Sequence, residues 1–244
     1  AKVINTGVEF ALNYDILQSD DLNWNLGFNV SYNKNEVQDF DGLIQTGEVN
    51  GNGLTGAYAQ LLAEGQPLFS FYLREFGGFD ENGISIYPNG DRQEFVGASA
   101  LPDYVVGINT SFSYKRFSMA MFFNGQYGQY IYNNTANAYQ TAGIIASGQN
   151  VTTDVLTNGE SPANAPDVST RFLEKGDFLR LANLSVGYDL KMKPDGALKS
   201  LRFSLTGSNL FVITPYSGLD PEVDTPKSLN NIPSAGIDYL SYPR

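Results

Sequence analysis

The chain has 244 residues and a mass of 26.7 kDa, enough for one large all-β unit or two small domains, and 42% of its residues are apolar. It contains no cysteine and no histidine, which excludes disulfide frameworks, thiolate or imidazole metal sites, and Ser-His-acid or Cys-His catalysis. A net charge of −11 sets the chain against nucleic acid as a partner, because acidic surfaces repel phosphate backbones.

The first predicted strand alternates Val8, Phe10, Leu12, Tyr14 and Ile16 with Glu9, Ala11, Asn13 and Asp15. Gln18 to Asp21 reads as a short turn, so the next segment completes a hairpin. That segment, residues 22–33, places Leu22, Trp24, Leu26, Phe28, Val30 and Tyr32 on one face. Asn23, Asn25, Gly27, Asn29, Ser31 and Asn33 fall on the other. Twelve residues exceed the usual strand of about 5–6. Tilted near 45°, such a strand rises about 28 Å, close to the apolar band of roughly 25 Å on an outer-membrane barrel. The Asn, Gly and Ser of the polar face suit a hydrated lumen better than a packed core.

A long loop is predicted from about 36 to 66, followed by two weaker strands, about Leu68–Phe76 and Ile84–Phe95. Alternation returns at Tyr104–Tyr114, turns at Lys115-Arg116, and resumes through Phe117–Asn124 with Phe122 out of pattern. A second long loop covers about 133–169. Phe178–Leu190 and Leu201–Phe211 are the last predicted strands, joined by a turn at Lys193-Pro194-Asp195-Gly196, and a Pro-rich tail ends at Tyr242-Pro243-Arg244. The reading is all-β: an antiparallel transmembrane β-barrel contributing about eight strands, with no helix signal and no apolar run near the roughly 20 residues of a spanning helix. Short turns alternate with long loops, as in barrels with periplasmic turns and extracellular loops, and parity places the turns at 18–21, 115–116 and 191–199 on one side. Tyr14, Trp24, Tyr114, Phe117 and Tyr188 flank those turns as an interfacial girdle would. The alternative is a soluble β-sandwich whose aromatics fill a core.

Several phrases carry a resemblance. They are Glu64-Gly65-Gln66-Pro67, Val96-Gly97-Ala98 with Leu101-Pro102-Asp103-Tyr104 and Gly107, and the run from Arg171 to Leu181 (RFLEKGDFLRL). Leu184-Ser185-Val186-Gly187-Tyr188, Ser208-Asn209-Leu210-Phe211, Tyr216 to Val223 (YSGLDPEV) and the closing Tyr242-Pro243 follow in order. Together they resemble the C-terminal third of SusC/RagA-type TonB-dependent outer-membrane transporters. The resemblance implies a 22-stranded barrel in the cell outer membrane with a plug domain inside it. It further implies a SusD-like surface lipoprotein over the mouth, energy from the TonB complex through the plug, and glycan or oligopeptide import. On this reading residues 1–244 are the C-terminal part of the barrel, the plug and last strand lie outside them, and the chain is not an enzyme. A passive porin or structural barrel, a barrel-embedded enzyme and a soluble β-rich binding module are the alternatives.

No cofactor is expected. Asp80-Glu81-Asn82-Gly83 and Asn89-Gly90-Asp91 faintly suggest a Ca²⁺ loop, but the twelfth position from Asp80 is Asp91 rather than Glu and the fifth is Ile84, so two turns are expected. Asp220, Glu222 and Asp224 resemble paired acids of glycoside chemistry, yet a loop-bracing role fits their Pro-rich setting. Asn209 is read as ending a strand and bonding backbone at the loop entry. Tyr127, Tyr130, Tyr132 and Tyr139 run off a strand into the second long loop. Tyr127 and Tyr130 read as an upper girdle, and Tyr139, too far along for that, is the candidate substrate or partner contact. Asn150-Val151-Thr152 fits a glycosylation sequon, which carries meaning only in a eukaryotic secretory context.

Overall fold

The computed structural model describes residues 1–193 and 196–241. In chain order the strands are β1 (Lys2–Gln18), β2 (Leu22–Gln38), β3 (Leu43–Glu48), β4 (Tyr58–Ala63), β5 (Ser70–Leu73), β6 (Glu94–Ser99), β7 (Tyr104–Tyr114), β8 (Phe117–Tyr127), β9 (Tyr130–Asn133), β10 (Leu173–Lys175), β11 (Phe178–Leu190), β12 (Leu201–Ile213) and β13 (Ile237–Asp238). Two short helices, α1 (Asn134–Tyr139) and α2 (Ala142–Ile145), follow β9.

Six long strands form one antiparallel sheet in the order β1-β2-β7-β8-β11-β12, which we call the wall. Its register explains why the alternation is so regular. Leu12, Phe28, Ile108, Phe123, Leu181 and Phe211 stand opposite one another across all six strands. The adjacent row is Asn13, Gly27, Asn109, Phe122, Asn183 and Ser208. Residues paired in register share a face, so one face is aliphatic and aromatic while the other is mostly amide, hydroxyl and glycine. Neither face is covered within this chain: on the apolar face Val8 is 70% exposed and Leu205 75%, and in the polar row Phe122 is 41% exposed. Tyr32, Tyr104 and Tyr127 close one end of the apolar face; Tyr14, Trp24, Tyr114, Phe117 and Tyr188 close the other. This is the girdle that the aromatic spacing predicts.

Besides a register shift between Asp15 and Leu17 near the end of β1, a bulge interrupts the wall between Leu181 and Asn183 of β11. On β12 it is met by Asn209, whose backbone is left-handed (φ 50°), a conformation Asn tolerates better than most residues. Asn209 thus sits inside a strand that runs on to Ile213, not at a strand end as the sequence suggests. The bulge moves Leu179 and Leu181 onto the apolar face that Leu184 and Val186 occupy lower down. The turns at 19–21 and 115–116 lie side by side, Lys115 N donating to Asp21 O at 2.7 Å.

The excursions from the opposite end fold into a separate layer, the cap. Residues 39–103 supply the sheet β3-β4-β5-β6, residues 128–177 supply β9, β10 and both helices, and the tail 214–241 supplies β13, which pairs in parallel with β9. The main buried apolar cluster lies here, with Phe71, Leu73, Tyr132 and Ile237 essentially inaccessible.

The cap departs from the sequence reading in four ways. Residues 36–66 are not a bare loop, because β2 runs to Gln38 and β3 and β4 follow. Their apolar runs do not alternate, since β4 is buried nearly throughout. The weaker strands at 68–76 and 84–95 are not wall strands, which leaves six in the wall instead of eight. Only Ser70–Leu73 and Glu94–Ser99 are extended, and Pro88 with Gly90 (φ 76°) makes a turn in which Gly90 N donates to Tyr87 O at 2.9 Å. Helices α1 and α2 form where none was expected; Asn133 caps α1 through its side chain, accepting from Ala136 N at 2.9 Å. Tyr130 packs against the cap core rather than the girdle. Within the predicted turn at 193–196, Gly196 N donates to Lys193 O at 3.1 Å, while Pro194 and Asp195, like Tyr242, Pro243 and Arg244, lie outside the described residues.

Candidate solute-facing cap

The cap is held to the wall by charge buried at one joint. Arg180, on β11, reaches Asp220 at 2.6 Å and Glu222 at 3.0 Å, with Arg180 and Asp220 each 4% exposed. Glu222 N in turn donates to Asp220 Oδ1 at 2.9 Å, folding the Asp220-Pro221-Glu222 turn onto the guanidinium. These acids therefore brace the tail, the role expected of them in preference to glycoside chemistry. Beside them Thr214 Oγ1 donates to Asp177 O and Gly128 N to Asp177 Oδ1, both at 2.7 Å. At the end of β2, Gly65 N bonds Val37 O at 2.9 Å and Val37 N bonds Gln66 O at 3.0 Å, which pins the Glu64-Gly65-Gln66-Pro67 turn to the wall.

A second ion pair lies within the 128–177 excursion, and the rings against its arginine include two from the first excursion. Arg171 donates to both oxygens of Glu160, at 2.6 and 2.7 Å, and its guanidinium lies 4.7 to 5.8 Å from the rings of Phe172, Phe79 and Phe76. Burial opposes ionisation of Glu160, but the bonds from Arg171, Asn164 and Ala142 N outweigh it and hold the carboxyl below its ordinary range. Gly83 is fixed at the same seam: its backbone is left-handed (φ 77°) and its carbonyl accepts from Ser161 N at 2.9 Å, where a side chain would meet backbone.

Around the tail, polar groups converge on a cleft of about 690 Å³ between α1, the 217–219 turn, the Thr152–Asp154 segment and residues 238–241. Tyr216 Oη donates to Asp238 at 2.5 Å; burial and that carboxylate push the phenol up out of its ordinary range. Glu174 accepts from Ser217 N at 2.7 Å and from Asn133 Nδ2 at 3.0 Å, which draws β10 and the tail together. Tyr139 ends α1 at the cleft's edge. Its ring stacks on Tyr239 (centroids 6.2 Å, 24°), the two hydroxyls are 3.2 Å apart, and Lys227 Nζ caps the Tyr239 ring at 4.2 Å. Tyr139 is therefore half-buried in an aromatic pair rather than free in a loop.

Asp80 forms a local turn, its carboxylate accepting from Asn82 N at 2.9 Å and Ile84 N at 2.8 Å, whereas Asp91 pairs with Arg74 at 2.9 Å. The two do not converge, and among the described residues no three acidic side chains are placed to hold a metal ion. On the wall's polar face a shallow hollow of about 440 Å³ is lined by Asp15, Asn25, Ser111, Ser118 and Arg202, whose guanidinium bonds Ser118 at 2.6 Å and Asp189 at 3.1 Å. These groups suit hydrated solute or another polar surface, not an apolar core.

No protein-family model matches the chain. TonB-dependent receptor P3 of Formosa agariphila is 29% identical to it, over 98% of this chain and 27% of the relative. The TonB-dependent receptor SusC of Bacteroides thetaiotaomicron is 26% identical, over 98% of this chain and 25% of the relative. Among solved structures, the RagAB peptide transporter superposes with a TM-score of 0.73 at 23% identity, over 99% of this chain and 28% of that one. The RagAB peptide importer in its closed-closed state gives a TM-score of 0.77, also at 23% identity. The chain is similar to SusC/RagA-type TonB-dependent receptors along nearly its whole length.

It spans about a quarter of the length of the receptors it matches. Like those receptors it is an outer-membrane barrel chain. The phrases that carry the resemblance are joints in this SusC/RagA-type fold: Arg180 meets Asp220 and Glu222, Glu174 meets Ser217, and Asn209 makes the bulge. Sequence reasoning did not find the Arg171–Glu160 pair, which has no periodic signal in its irregular segment, or the cleft, which joins segments far apart in sequence. Arg171 and Glu174 do lie in the run quoted for the resemblance, and that was the available signal.

Proposed function

We propose that the chain is the C-terminal wall and outer cap of a 22-stranded active importer that brings glycans or oligopeptides across the outer membrane. A plug domain outside residues 1–244 gates the barrel and couples it to the TonB complex, and a SusD-like surface lipoprotein covers the cap. The wall supplies a lipid-facing apolar surface and a hydrated inner one, and the cap presents the clefts that meet incoming solute. The observation that carries this reading is the six-strand register, apolar on one face and polar on the other. Its long excursions all fold at one end, in a chain that matches TonB-dependent receptors along nearly its whole length. Tyr139 is proposed as a contact at the cap's outer edge, acting through its stacked pair with Tyr239.

The test is purification of the source protein from detergent-solubilised outer membrane. The expected result is a heat-modifiable species several times heavier than 26.7 kDa, co-purifying with a lipoprotein, whose solute uptake stops when TonB is removed. Uptake that persists without TonB would instead indicate a passive porin.

A further inference from the structure

Charge is divided unevenly between wall and cap. Residues 39–103, 128–177 and 214–241 hold nineteen of the chain's 26 acidic residues and five of its 15 basic ones, so the cap is net −14 and the rest net +3. Two of the five basic groups of the cap are engaged in internal ion pairs, Arg74 with Asp91 and Asp167 and Arg171 with Glu160. A field of this sign concentrates cations at the cap and repels anionic solutes.

The cleft beside α1 adds shape to that field. Asp154 stands exposed on one side, and a bond from Thr152, followed by local backbone donors, keeps its carboxyl below the ordinary range. Leu219, 68% exposed, and Leu240, 54% exposed, form an aliphatic rim on the other side. The rest of the lining is mostly polar, with Asn133, Gln140, Ser217 and the carboxylate of Asp238, and among the described residues it includes no Lys or Arg. Among the described residues no aromatic ring lines it either, since Tyr139 and Tyr239 are stacked on each other.

We infer that this cleft takes a cationic, partly aliphatic peptide segment, with a Lys or Arg side chain toward Asp154 and an aliphatic one against Leu219 and Leu240. The inference rests on the importer reading and narrows its substrate class from glycans or oligopeptides to basic oligopeptides.

The experiment uses the full-length receptor in detergent and a fluorescein-labelled decapeptide of alternating Lys and Leu. A Glu-Leu decapeptide and maltoheptaose serve as competitors. The Lys-Leu peptide is expected to bind and the other two to compete weakly. Asp154→Asn and the pair Leu219→Ala, Leu240→Ala should each raise Kd about fivefold or more, the change of roughly 1 kcal/mol expected for one lost charge contact or two truncated side chains. Raising the salt from about 0.05 M to about 0.5 M should weaken binding, because the attraction is partly screened. Equal binding of the Glu-Leu peptide, or a Kd unmoved by both sets of substitutions, would overturn the inference. TonB-dependent uptake measured in parallel separates the two readings. Uptake of maltoheptaose or the acidic peptide alone leaves the importer standing and removes the basic-peptide cleft. Loss of TonB dependence for all three solutes removes both.

Discussion

The wall and the cap are made from one chain by opposite rules. In the wall, long strands alternate strictly and bury little, because each face meets a different solvent: lipid on one side and water on the other. In the cap, short strands are joined by Gly, Asn and Pro turns and close over Phe71, Leu73, Tyr132 and Ile237 as a water-soluble domain would. An apolar side chain is thus outward in the wall and inward in the cap. The lesson is that hydrophobic pattern reports the surroundings of a strand, and a single chain can pass through three surroundings in 244 residues.

The sharpest way to break the comparison is at the joint between the two regions. Arg180→Met removes the cation from between two carboxylates, one of them fully buried, and should cost about 3–5 kcal/mol of cap attachment. Limited proteolysis should then cut the 214–241 tail while the wall stays heat-modifiable. An uncut tail would show that the joint holds without the ion pair.

The next effect separates the faces of the wall. Ile108→Lys places a charge on the apolar face in mid-strand and should destabilise by about 2–4 kcal/mol, whereas Asn109→Lys, one residue on, should be nearly neutral. Refolding yield into lipid vesicles measures both, and equal losses would contradict the assignment of faces.

Within the cap, Arg171→Lys keeps the charge but loses the two-pronged bond to Glu160 and the stacking on Phe172 and Phe79. The expected loss is about 1.5–3 kcal/mol, read as faster hydrogen exchange at 160–172 with the wall unchanged. The same clamp sets a pH dependence. The Glu160 carboxyl lies below its ordinary value of 4.5 in the folded cap, so its contribution is fully present above that pH and is lost as pH falls through the depressed value. Protection of the 160–172 amides, taken relative to their intrinsic exchange rates at each pH, should therefore fall on acidification below 4.5 in the native protein, and that fall should be smaller in the Arg171→Lys variant.

The smallest effect is expected for Gly107→Ala. Its new methyl meets only the amide end of Asn29, a flexible side chain, so the cost should stay below about 1 kcal/mol by the same refolding assay.

How much of this was legible follows from the same contrast. The wall could be read almost residue by residue, because period-two alternation is a local signal and the sheet preserves it from Val8 to Phe211. The bulge was not legible: Asn209 signals a left-handed residue without saying that the strand continues beyond it. The cap was largely hidden, since β4 is buried on both faces and leaves no alternation to read. Its clamps join residues 40 apart, as in Arg180 and Asp220, or bring segments such as Phe76 and Arg171 together across the fold. The acids at 220 and 222 were read as braces, but the arginine they brace was not identified. Tyr139 was singled out for lying in the loop, while its partner Tyr239, a hundred residues on, was not.

The central claim is that one face of the wall meets lipid and the other water. Residues 1–244 contain no cysteine, so a single-cysteine spin-label scan of Val105 to Phe112 on β7, in the full-length protein with any cysteine elsewhere replaced by serine and in outer-membrane lipid, reads that claim directly. Labels at 106, 108, 110 and 112 should be accessible to oxygen and shielded from an aqueous nickel chelate, and labels at 105, 107, 109 and 111 should show the reverse. Labels shielded from both reagents on the even face would mean a packed protein core there, and the membrane wall would have to be abandoned.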